Sequence, residues 1–311
     1  MVPPRHSSAP ITGLCAHGVE LDQSPGKLGF LRETQWEAVP PALLRRQMDD
    51  DGYLFCRHFW SRDEVQYVRD SITTQLERLE FLRPDFPRNE ARALSGRKVG
   101  RAIGNPLDQN DPPLRALVFG DHIMAFFARI LGGPIRHLDY IWFRTKGPGI
   151  GSPLHCDLVY MGRGTHQLFT AWVPLGDIDL NMGGYLALEG SHRHSERLRP
   201  YLSRDVDEYC LNRDSSEAAA DGTRWDGTLS ENPVALQQSL GGRWLTAEEF
   251  QMGDAVFFNM TLVHGSLDNQ TDLIRLSVDT RYQLAAAPID ERWVGKNPPG
   301  HANSMRRGRV C

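Results

Sequence analysis

The second half of the chain consists of short apolar runs separated by glycine, proline and aspartate. These runs begin after Pro134 and recur at turn-like intervals. They occupy residues 138–145, 154–160, 167–174, 185–188, 253–259 and 274–282. Runs of this length and spacing are typical of the strands of an all-β barrel or sandwich. The sequence therefore predicts a chain that folds around a β core.

Two amphipathic helices are predicted before that core. Residues 61–82 open with a capping box, in which Ser61 is followed three residues later by Glu64. Residues 121–131 carry a second apolar stripe at helical spacing, and Gly132 follows it as a stop signal. Helices first and strands afterwards predict a mainly β fold with helices packed on one side.

The chain divides into three parts. Residues 1–35 read as an irregular leader, residues 36–290 as one domain, and residues 291–311 as a C-terminal tail. A polar stretch at about 193–246 interrupts the strand pattern and is long for a connection, so we expect a functional insertion there. A chain of 311 residues is long enough for one large core.

Composition narrows the functional classes. A formal net charge of -4 provides no basic excess for neutralising phosphates, which argues against nucleic acid as the main partner. The five cysteines are scattered without a Cys-x-x-Cys pair, as in reduced cytoplasmic proteins. No signal peptide is visible, and no apolar stretch approaches the roughly 20 residues of a membrane span. We expect a cytoplasmic protein, with the oligomeric state open and a homodimer as one option.

A histidine and a carboxylate stand close together at the start of the β half. His155 and Asp157 are two residues apart, and an extended strand would place both side chains on one face. Such a pair can hold a divalent metal but needs a third ligand, for which His264 near the end of a later strand is the candidate. Two histidines and one carboxylate form the usual frame of a non-haem Fe(II) oxygenase.

A row of polar residues follows His264. Arg275, Ser277, Asp279 and Arg281 share one face of an extended segment, while apolar residues occupy the other. An arginine pointing into a barrel is costly unless it meets an anion, and a guanidinium can grip a carboxylate through two parallel hydrogen bonds. Arg275 therefore favours a ligand with a carboxylate at its far end. For Arg281, an ion pair with an aspartate and a contact to a substrate anion both stay open.

These motifs together resemble the phytanoyl-CoA dioxygenase family. The resemblance covers residues from about 45 to 285 and rests on His155-Cys156-Asp157, Trp172-Val173-Pro174-Leu175, the stretch from Met182 to His192, Gly253-Asp254, His264-Gly265-Ser266 and Arg275. Members of that family are oxygenases that use Fe(II), 2-oxoglutarate and dioxygen. The resemblance implies their fold, a double-stranded β-helix, also called a jelly roll or cupin-like core.

The resemblance also implies roles for individual residues. His155, Asp157 and His264 would ligate iron, while Arg275 and Ser266 would hold the distal carboxylate of 2-oxoglutarate. Trp172 and Trp142 match positions that line the cosubstrate. The upstream lysine of the family has its nearest counterparts in Lys98 and Arg101. Further candidate contacts to substrate or cosubstrate are His192 and Arg281.

The implied reaction is oxidation of an unactivated C–H bond in a small metabolite or natural-product intermediate, with release of succinate and carbon dioxide. Relatives that halogenate carry a small residue where Asp157 stands, so hydroxylation or a related oxidation is expected. Relatives that act on fatty acyl-CoA often carry glutamine at the place of Cys156, which disfavours that substrate.

Two other functional classes stay open on the sequence. Arg275 and Arg281 are six residues apart, like the paired arginines of the AlkB-type nucleic-acid dealkylases. The same histidines and carboxylate would also suit a zinc hydrolase or a cupin-like binding protein.

Overall fold

The computed structural model of the chain describes residues 13–97, 107–208 and 225–301. The strands are β1 (Cys15–Ala16), β2 (Val19–Glu20), β3 (Leu28–Phe30), β4 (Tyr53–Cys56), β5 (Ile135–His137), β6 (Trp142–Phe143), β7 (Phe169–Pro174), β8 (Ile178–Asp179), β9 (Tyr185–Leu188), β10 (Trp244–Thr246), β11 (Glu249–Phe250), β12 (Ala255–Asn259), β13 (His264–Ser266) and β14 (Ser277–Leu284). The helices are α1 (Pro41–Asp51), α2 (Arg62–Arg78), α3 (Pro112–Phe119), α4 (Asp121–Leu131), α5 (Leu158–Met161), α6 (Ser195–Leu202) and α7 (Pro233–Leu240).

Two sheets form the β core. The larger has the order β4-β12-β7-β14-β5, with β6 also paired to β14, and the smaller has the order β13-β9-β10-β3. Because neighbours in each sheet are distant in the chain, the chain crosses repeatedly between the sheets, as it does in a jelly roll. The expected mainly β fold with a double-stranded β-helix core and flanking helices is confirmed.

Side chains of the larger sheet alternate between two cores. Trp172 and Phe258 point into the barrel and join one apolar cluster. Val173 and Phe257, one residue away on the same strands, join a second cluster that includes helices α2, α3 and α4. The period of two along each strand therefore gives one sheet face to the barrel interior and the other to the helices.

Helix α2 begins and ends at identifiable signals. Ser61 and Glu64 form the expected capping box, each side chain accepting a hydrogen bond from the backbone N–H of the other. The helix ends at Arg78, short of the expected residue 82, because Glu80 takes a φ of 58° and turns the chain back. Helix α4 covers the expected residues 121–131. Within the described segments, no helix has the length and apolar character needed to cross a membrane.

The described part of the leader is not irregular. It contains three short strands, and β3 runs parallel to β10, extending the smaller sheet. The expectation of an irregular leader is wrong from residue 13 onward, because a strand of two or three residues leaves no alternation to recognise.

The expected insertion and tail also need correction. Strand β10, at the end of the 193–246 stretch, lies between β9 and β3 and so belongs to the barrel. Residues 291–301 of the expected tail pack onto the domain, and Trp293 there is fully buried. Both contributions depend on contacts with distant residues, which local composition does not encode.

Removing the hydroxyl group of Ser61 should destabilise the domain through α2. Ser61→Ala deletes the capping partner of Glu64 N–H, so we expect the free energy of unfolding to fall by about 1 kcal/mol. Urea denaturation followed by circular dichroism measures the change. Ser24→Ala is the control, because Ser24 lies in an exposed turn and should change the value by less than about 0.5 kcal/mol. Equal losses in both variants would show that the cap contributes nothing.

Candidate active site

Three side chains that are far apart in the sequence meet between the two sheets. His155, Asp157 and His264 each offer one ligand atom, and these atoms lie within 4.8 Å of one another. Nε2 of His155 and Nε2 of His264 are each 3.8 Å from Oδ1 of Asp157. All three side chains are buried. The structure thus brings together the three residues that the sequence pattern selects as metal ligands.

The backbone that carries His155 and Asp157 is not the single extended strand that the sequence predicts. His155 and His264 form an antiparallel bridge, in which each N–H donates to the other's carbonyl oxygen at 2.9 Å. Asp157 has helical backbone angles, and α5 starts immediately after it. The expected strand over 154–160 is therefore wrong beyond the histidine, because a short buried apolar run fits a helical turn as well as a strand. A helical turn, and not strand alternation, brings Asp157 to His155.

Backbone carbonyl groups orient both imidazole rings. Nδ1 of His155 lies 2.7 Å from the oxygen of Pro153, and Nδ1 of His264 lies 3.0 Å from the oxygen of Leu262. A carbonyl oxygen only accepts, so each Nδ1 carries the proton and each Nε2 keeps a lone pair directed toward Asp157. Burial lowers the pKa of both imidazoles, which are therefore neutral at neutral pH.

One carboxylate oxygen of Asp157 is anchored and the other faces the histidines. Oδ2 accepts hydrogen bonds from the hydroxyl of Thr170 and from Nη2 of Arg281, the latter at 3.0 Å. Burial alone raises the pKa of Asp157. The charge of Arg281 and the hydrogen bond from the Thr170 hydroxyl outweigh it and hold that pKa well below its usual range. Asp157 is therefore ionised.

This donor set fits a divalent metal ion. Histidine nitrogen and carboxylate oxygen bind such ions at about 2.0–2.2 Å, which places ligands on one face of the ion about 3 Å apart. Small side-chain movements would shorten the observed separations of 3.8 to 4.8 Å between ligand atoms to that value. Neutral imidazoles and an ionised carboxylate are also the protonation states that metal binding requires.

Arg275 points into the barrel, as the strand parity predicts. It is 1% exposed, and its Nη1 donates to Oγ of Ser277 at 2.7 Å. Its Nε has no partner among the described residues. Burial lowers the pKa of Arg275 to about 10, so the guanidinium still carries its charge at neutral pH. A buried cation with a free N–H group has its natural partner in an anion.

Arg281 forms the ion pair that is one of its two interpretations, and a contact to a substrate anion stays a prediction. Its partner is Asp157, the metal-site carboxylate itself, and its guanidinium also stacks on the ring of Trp142 with Cζ 4.0 Å from the ring centre. Its Nε and Nη1 have no partner among the described residues. Arg281 therefore keeps the Asp157 carboxylate ionised and in position. Its Nε and Nη1 atoms can still donate hydrogen bonds.

Trp172 and Ser266 line the barrel interior from opposite sheets. The ring of Trp172 packs 5.7 Å from that of Tyr185, which pairs with Ser266 across β9 and β13. Oγ of Ser266 accepts from the N–H of Ser152 at 2.7 Å. Gly151 permits this approach, since a Cβ there would lie 2.4 Å from the carbonyl oxygen of Ser266. The hydroxyl of Tyr185 is buried without a partner among the described residues.

Other candidate residues lie elsewhere. His192 packs on the end of α1, with Nε2 3.0 Å from the oxygen of Asp49, and the structure does not bring it to the site. The sequence could not distinguish this surface contact from a ligand contact. Lys98 and Arg101 lie outside the described residues.

The sequence interpretation missed Arg144, Thr170 and Tyr185. Nε of Arg144 donates to Oδ2 of Asp279 at 2.7 Å, while Oδ1 of Asp279 has no partner in the described segments. Arg144 has the same strand parity as Trp142, and that signal could have identified it. Thr170 and Tyr185 lie within apolar strands and offered no such signal.

Comparison with known proteins identifies the family. The family model for phytanoyl-CoA dioxygenase (PhyH) matches residues 48–277. The chain belongs to the phytanoyl-CoA dioxygenase family. It is accordingly a 2-oxoglutarate-dependent dioxygenase that works with Fe(II), 2-oxoglutarate and dioxygen on small-molecule substrates. This confirms the resemblance seen in the sequence motifs and sets aside a hydrolase or a non-catalytic cupin-like protein.

Individual relatives are distant. The peroxisomal phytanoyl-CoA dioxygenase of Mus musculus is 26% identical over 248 residues, which are 76% of this chain and 67% of that protein. The carbocyclase SnoK from nogalamycin biosynthesis aligns over 90% of this chain and 96% of its own, with a TM-score of 0.56 and 19% identity. EctD from S. alaskensis aligns over 95% of both chains, with a TM-score of 0.54 and 17% identity. At 19% and 17% identity, the similarity to these two structures shows that the fold is shared and nothing more.

Replacing Arg281 should leave Asp157 as an uncompensated buried charge. For metal-free Arg281→Met, we expect the free energy of unfolding to fall by about 3–5 kcal/mol. Adding Asp157→Asn should recover part of the loss, because the orphaned charge is then gone. Urea denaturation after treatment with a chelator measures both variants. If the second substitution recovered nothing, the two side chains would not be energetically coupled.

Proposed function

We propose that the chain is a hydroxylase that oxidises an unactivated C–H bond of a small metabolite or natural-product intermediate. His155, Asp157 and His264 hold the Fe(II), and Arg275 holds 2-oxoglutarate. The observation that carries the proposal is the convergence of the three ligand atoms within 4.8 Å, in the same barrel interior as the buried guanidinium of Arg275. When bound, the iron and 2-oxoglutarate supply the oxidising chemistry, with succinate and carbon dioxide as by-products.

The chain's own residues prepare the metal site. Thr170 and Arg281 hold Oδ2 of Asp157, so Oδ1 is presented toward the histidines. The carbonyl groups behind the two imidazoles fix the ring tautomers, and such support typically changes metal affinity by about 10- to 100-fold. Three protein ligands on one face leave the remaining positions open to cosubstrate and oxidant.

Inward polar groups supply the cosubstrate site. Arg275 provides the charge for the distal carboxylate of 2-oxoglutarate. Ser266 supports it, because its hydroxyl accepts from Ser152 and keeps its own proton to donate. The unpaired hydroxyl of Tyr185 adds a second donor, and Trp172 forms the apolar wall beside it. These are groups that a small dicarboxylate can satisfy together.

Arg144 offers a second cation to the cosubstrate. Its charge contributes to lowering the pKa of Arg275 and of both metal-site histidines, so it lies near all three. A cation near both the distal anchor and the metal ligands suits a contact to the near carboxylate. Arg144 would then take the role expected for Lys98 or Arg101.

The side chain of Cys156 gives little information about the substrate, although the residue lies between two metal ligands in the sequence. Its Sγ donates to the carbonyl oxygen of Thr261, and its backbone N–H donates to the hydroxyl of Tyr201. It therefore points away from the metal ligands, as strand alternation also predicts. An acyl-CoA substrate is disfavoured by the residue type at this position but not by any contact in the pocket.

Hydroxylation is favoured over the nucleic-acid alternative. Asp157 is ionised and fills the position that halogenating relatives leave small. The formal net charge of -4 provides no basic excess for binding a nucleic acid, and the spacing of Arg275 and Arg281 alone does not favour one. The cytoplasmic location and the oligomeric state stay predictions.

The reaction is tested by oxygen admission. The protein is incubated without oxygen with Fe(II) and 2-oxoglutarate, air is admitted with a panel of metabolites, and succinate and substrate mass gain are measured. We expect succinate release with the wild type and none with Asp157→Ala or His155→Ala. Ser24→Ala serves as the folded control. Undiminished succinate release in either ligand variant would rule out this metal site.

Arg275 should control the affinity for 2-oxoglutarate. Arg275→Met leaves the distal carboxylate without its buried partner, which costs about 2–5 kcal/mol and predicts at least a 30-fold rise in the KM for 2-oxoglutarate. Succinate release at varied 2-oxoglutarate concentration gives the KM. Arg136→Met is the control, since Arg136 lies on the paired strand β5, away from the inward row. An unchanged KM would assign Arg275 another role.

A further inference from the structure

A series of ring contacts leads away from the metal site into the C-terminal segment. The ring of Tyr160 packs 5.4 Å from that of His155, measured between ring centres. The ring of His301 lies 5.9 Å from Tyr160, and Trp293 lies 4.7 Å from His301. Residues of the expected tail are therefore two side chains away from a metal ligand.

The same series returns to the metal site on the other side. Trp293 packs 4.7 Å from Trp142, and Trp142 stacks on Arg281 at 4.0 Å. Arg281 then donates to Asp157 at 3.0 Å. We call Tyr160, His301, Trp293 and Trp142 the aromatic arc, because its two ends meet two different metal-site residues.

The aromatic arc and Arg281 carry buried polar atoms without a partner among the described residues. These atoms are Nε1 of Trp293, Nε2 of His301, and Nε and Nη1 of Arg281. The Trp293 and Arg281 atoms can only donate hydrogen bonds. Unsatisfied buried donors are rare in folded proteins and call for an acceptor, which the described residues do not supply. The unpaired donors of Trp293 and Arg281, on side chains that both pack against Trp142, indicate one shared acceptor.

The aromatic arc lies on the side of the site away from the cosubstrate anchor. Arg281 is six residues beyond Arg275 along an extended segment, which separates their backbones by about 20 Å at about 3.3 Å per residue. A cosubstrate held by Arg275 reaches the metal from one end of this row. The aromatic arc attaches at the other end, beside Asp157, so Trp142 would face the substrate there and not the cosubstrate that the sequence resemblance implies.

Charged groups hold the C-terminal segment in this place. Arg292 donates to carboxylate oxygens of Asp205, Asp207 and Asp290, at 3.2, 2.6 and 2.6 Å. Nδ1 of His301 lies 2.7 Å from Oδ1 of Asp207, which leaves Nε2 as its free edge. These ion pairs hold the C-terminal segment in its closed position without a ligand, and they must break before the segment can move outward.

We propose that the aromatic arc and Arg281 form the substrate subsite, for a flat aromatic molecule that carries a carboxylate or phenolate oxygen. The oxygen accepts hydrogen bonds from Trp293 and Arg281, and the ring lies against the aromatic side chains. The subsite rests on the proposed function, which makes the metal the reacting centre. Because Trp293, Arg281 and His301 are at most 3% exposed, residues 291–301 must move outward to admit the ligand and then close on it.

A binding experiment tests the subsite without requiring turnover. The protein is loaded with Fe(II) and 2-oxoglutarate in the absence of oxygen, and calorimetry measures the binding of 2-naphthoate and of octanoate. We expect 2-naphthoate, a flat ring with a carboxylate, to bind at least tenfold more tightly than octanoate. Trp293→Phe keeps a ring but removes Nε1, and should weaken 2-naphthoate binding about five- to tenfold by loss of one hydrogen bond.

Matched variants separate binding from structure. Trp244 is also fully buried, but its Nε1 donates to the oxygen of Pro233, so Trp244→Phe should lower the melting temperature and leave 2-naphthoate affinity unchanged. His301→Asn keeps a donor near the Nδ1 position for Asp207 but removes the ring that packs against Tyr160 and Trp293, and should weaken 2-naphthoate binding severalfold even if Trp293→Phe does not fold. Affinity for 2-oxoglutarate should stay the same in all three variants.

Each other outcome has a distinct meaning. Wild-type protein that binds 2-oxoglutarate but not 2-naphthoate would overturn the subsite alone. Unchanged 2-naphthoate affinity in both Trp293→Phe and His301→Asn would show that the unpaired atoms hold buried water only, which also overturns it. Wild-type protein that does not bind 2-oxoglutarate would overturn the proposed function and the subsite with it.

Discussion

The buried charge of Asp157 is the constraint on which the site depends. A carboxylate with 1% exposure is stable in a barrel only when cations and donors surround it, and Arg281 and Thr170 provide these on one of its oxygens. The other oxygen is left facing two neutral imidazoles. Without a cation this arrangement is electrostatically unfavourable, because the lone pairs of both imidazoles face an anion. A divalent cation completes it, so the interactions that stabilise the carboxylate also specify the metal site.

Strand β14 and the segment before it connect this centre to the rest of the pocket. Alternation along an extended chain places Arg275, Asp279 and Arg281 on one face and gives the opposite face to the helices. One cation, Arg275, is thereby buried inside the barrel, where we propose that it binds the distal end of the cosubstrate, and another, Arg281, is paired with Asp157. A shift of one residue in the register with β7 would turn the whole row into the helical core, where no charge could be accommodated. Register and function are therefore fixed by the same apolar packing.

The sequence predicts those parts of the site that follow from local periodicity. Alternation identified Arg275 as an inward residue, and residue type together with family motifs selected His155, Asp157 and His264. The same alternation was available for Arg144, two residues beyond Trp142, and was not used. The strand through Asp157 was wrong, since four buried apolar residues do not distinguish a helical turn from a strand. Trp293 could not be found at all, because its burial depends on contacts with Tyr140 and Trp142, more than a hundred residues away.

The two halves of the pocket are built on different physical principles. The half that we assign to the cosubstrate belongs to the barrel, where paired strands fix Ser266 and Tyr185 in one register. The opposite half includes a segment that returns from the C-terminal side and is held by the ion pairs of Arg292. Strand pairing resists movement, whereas ion pairs at a partly exposed edge exchange more readily with water. If the two halves bind as we propose, this division holds the cosubstrate in a constant geometry and lets the substrate side open.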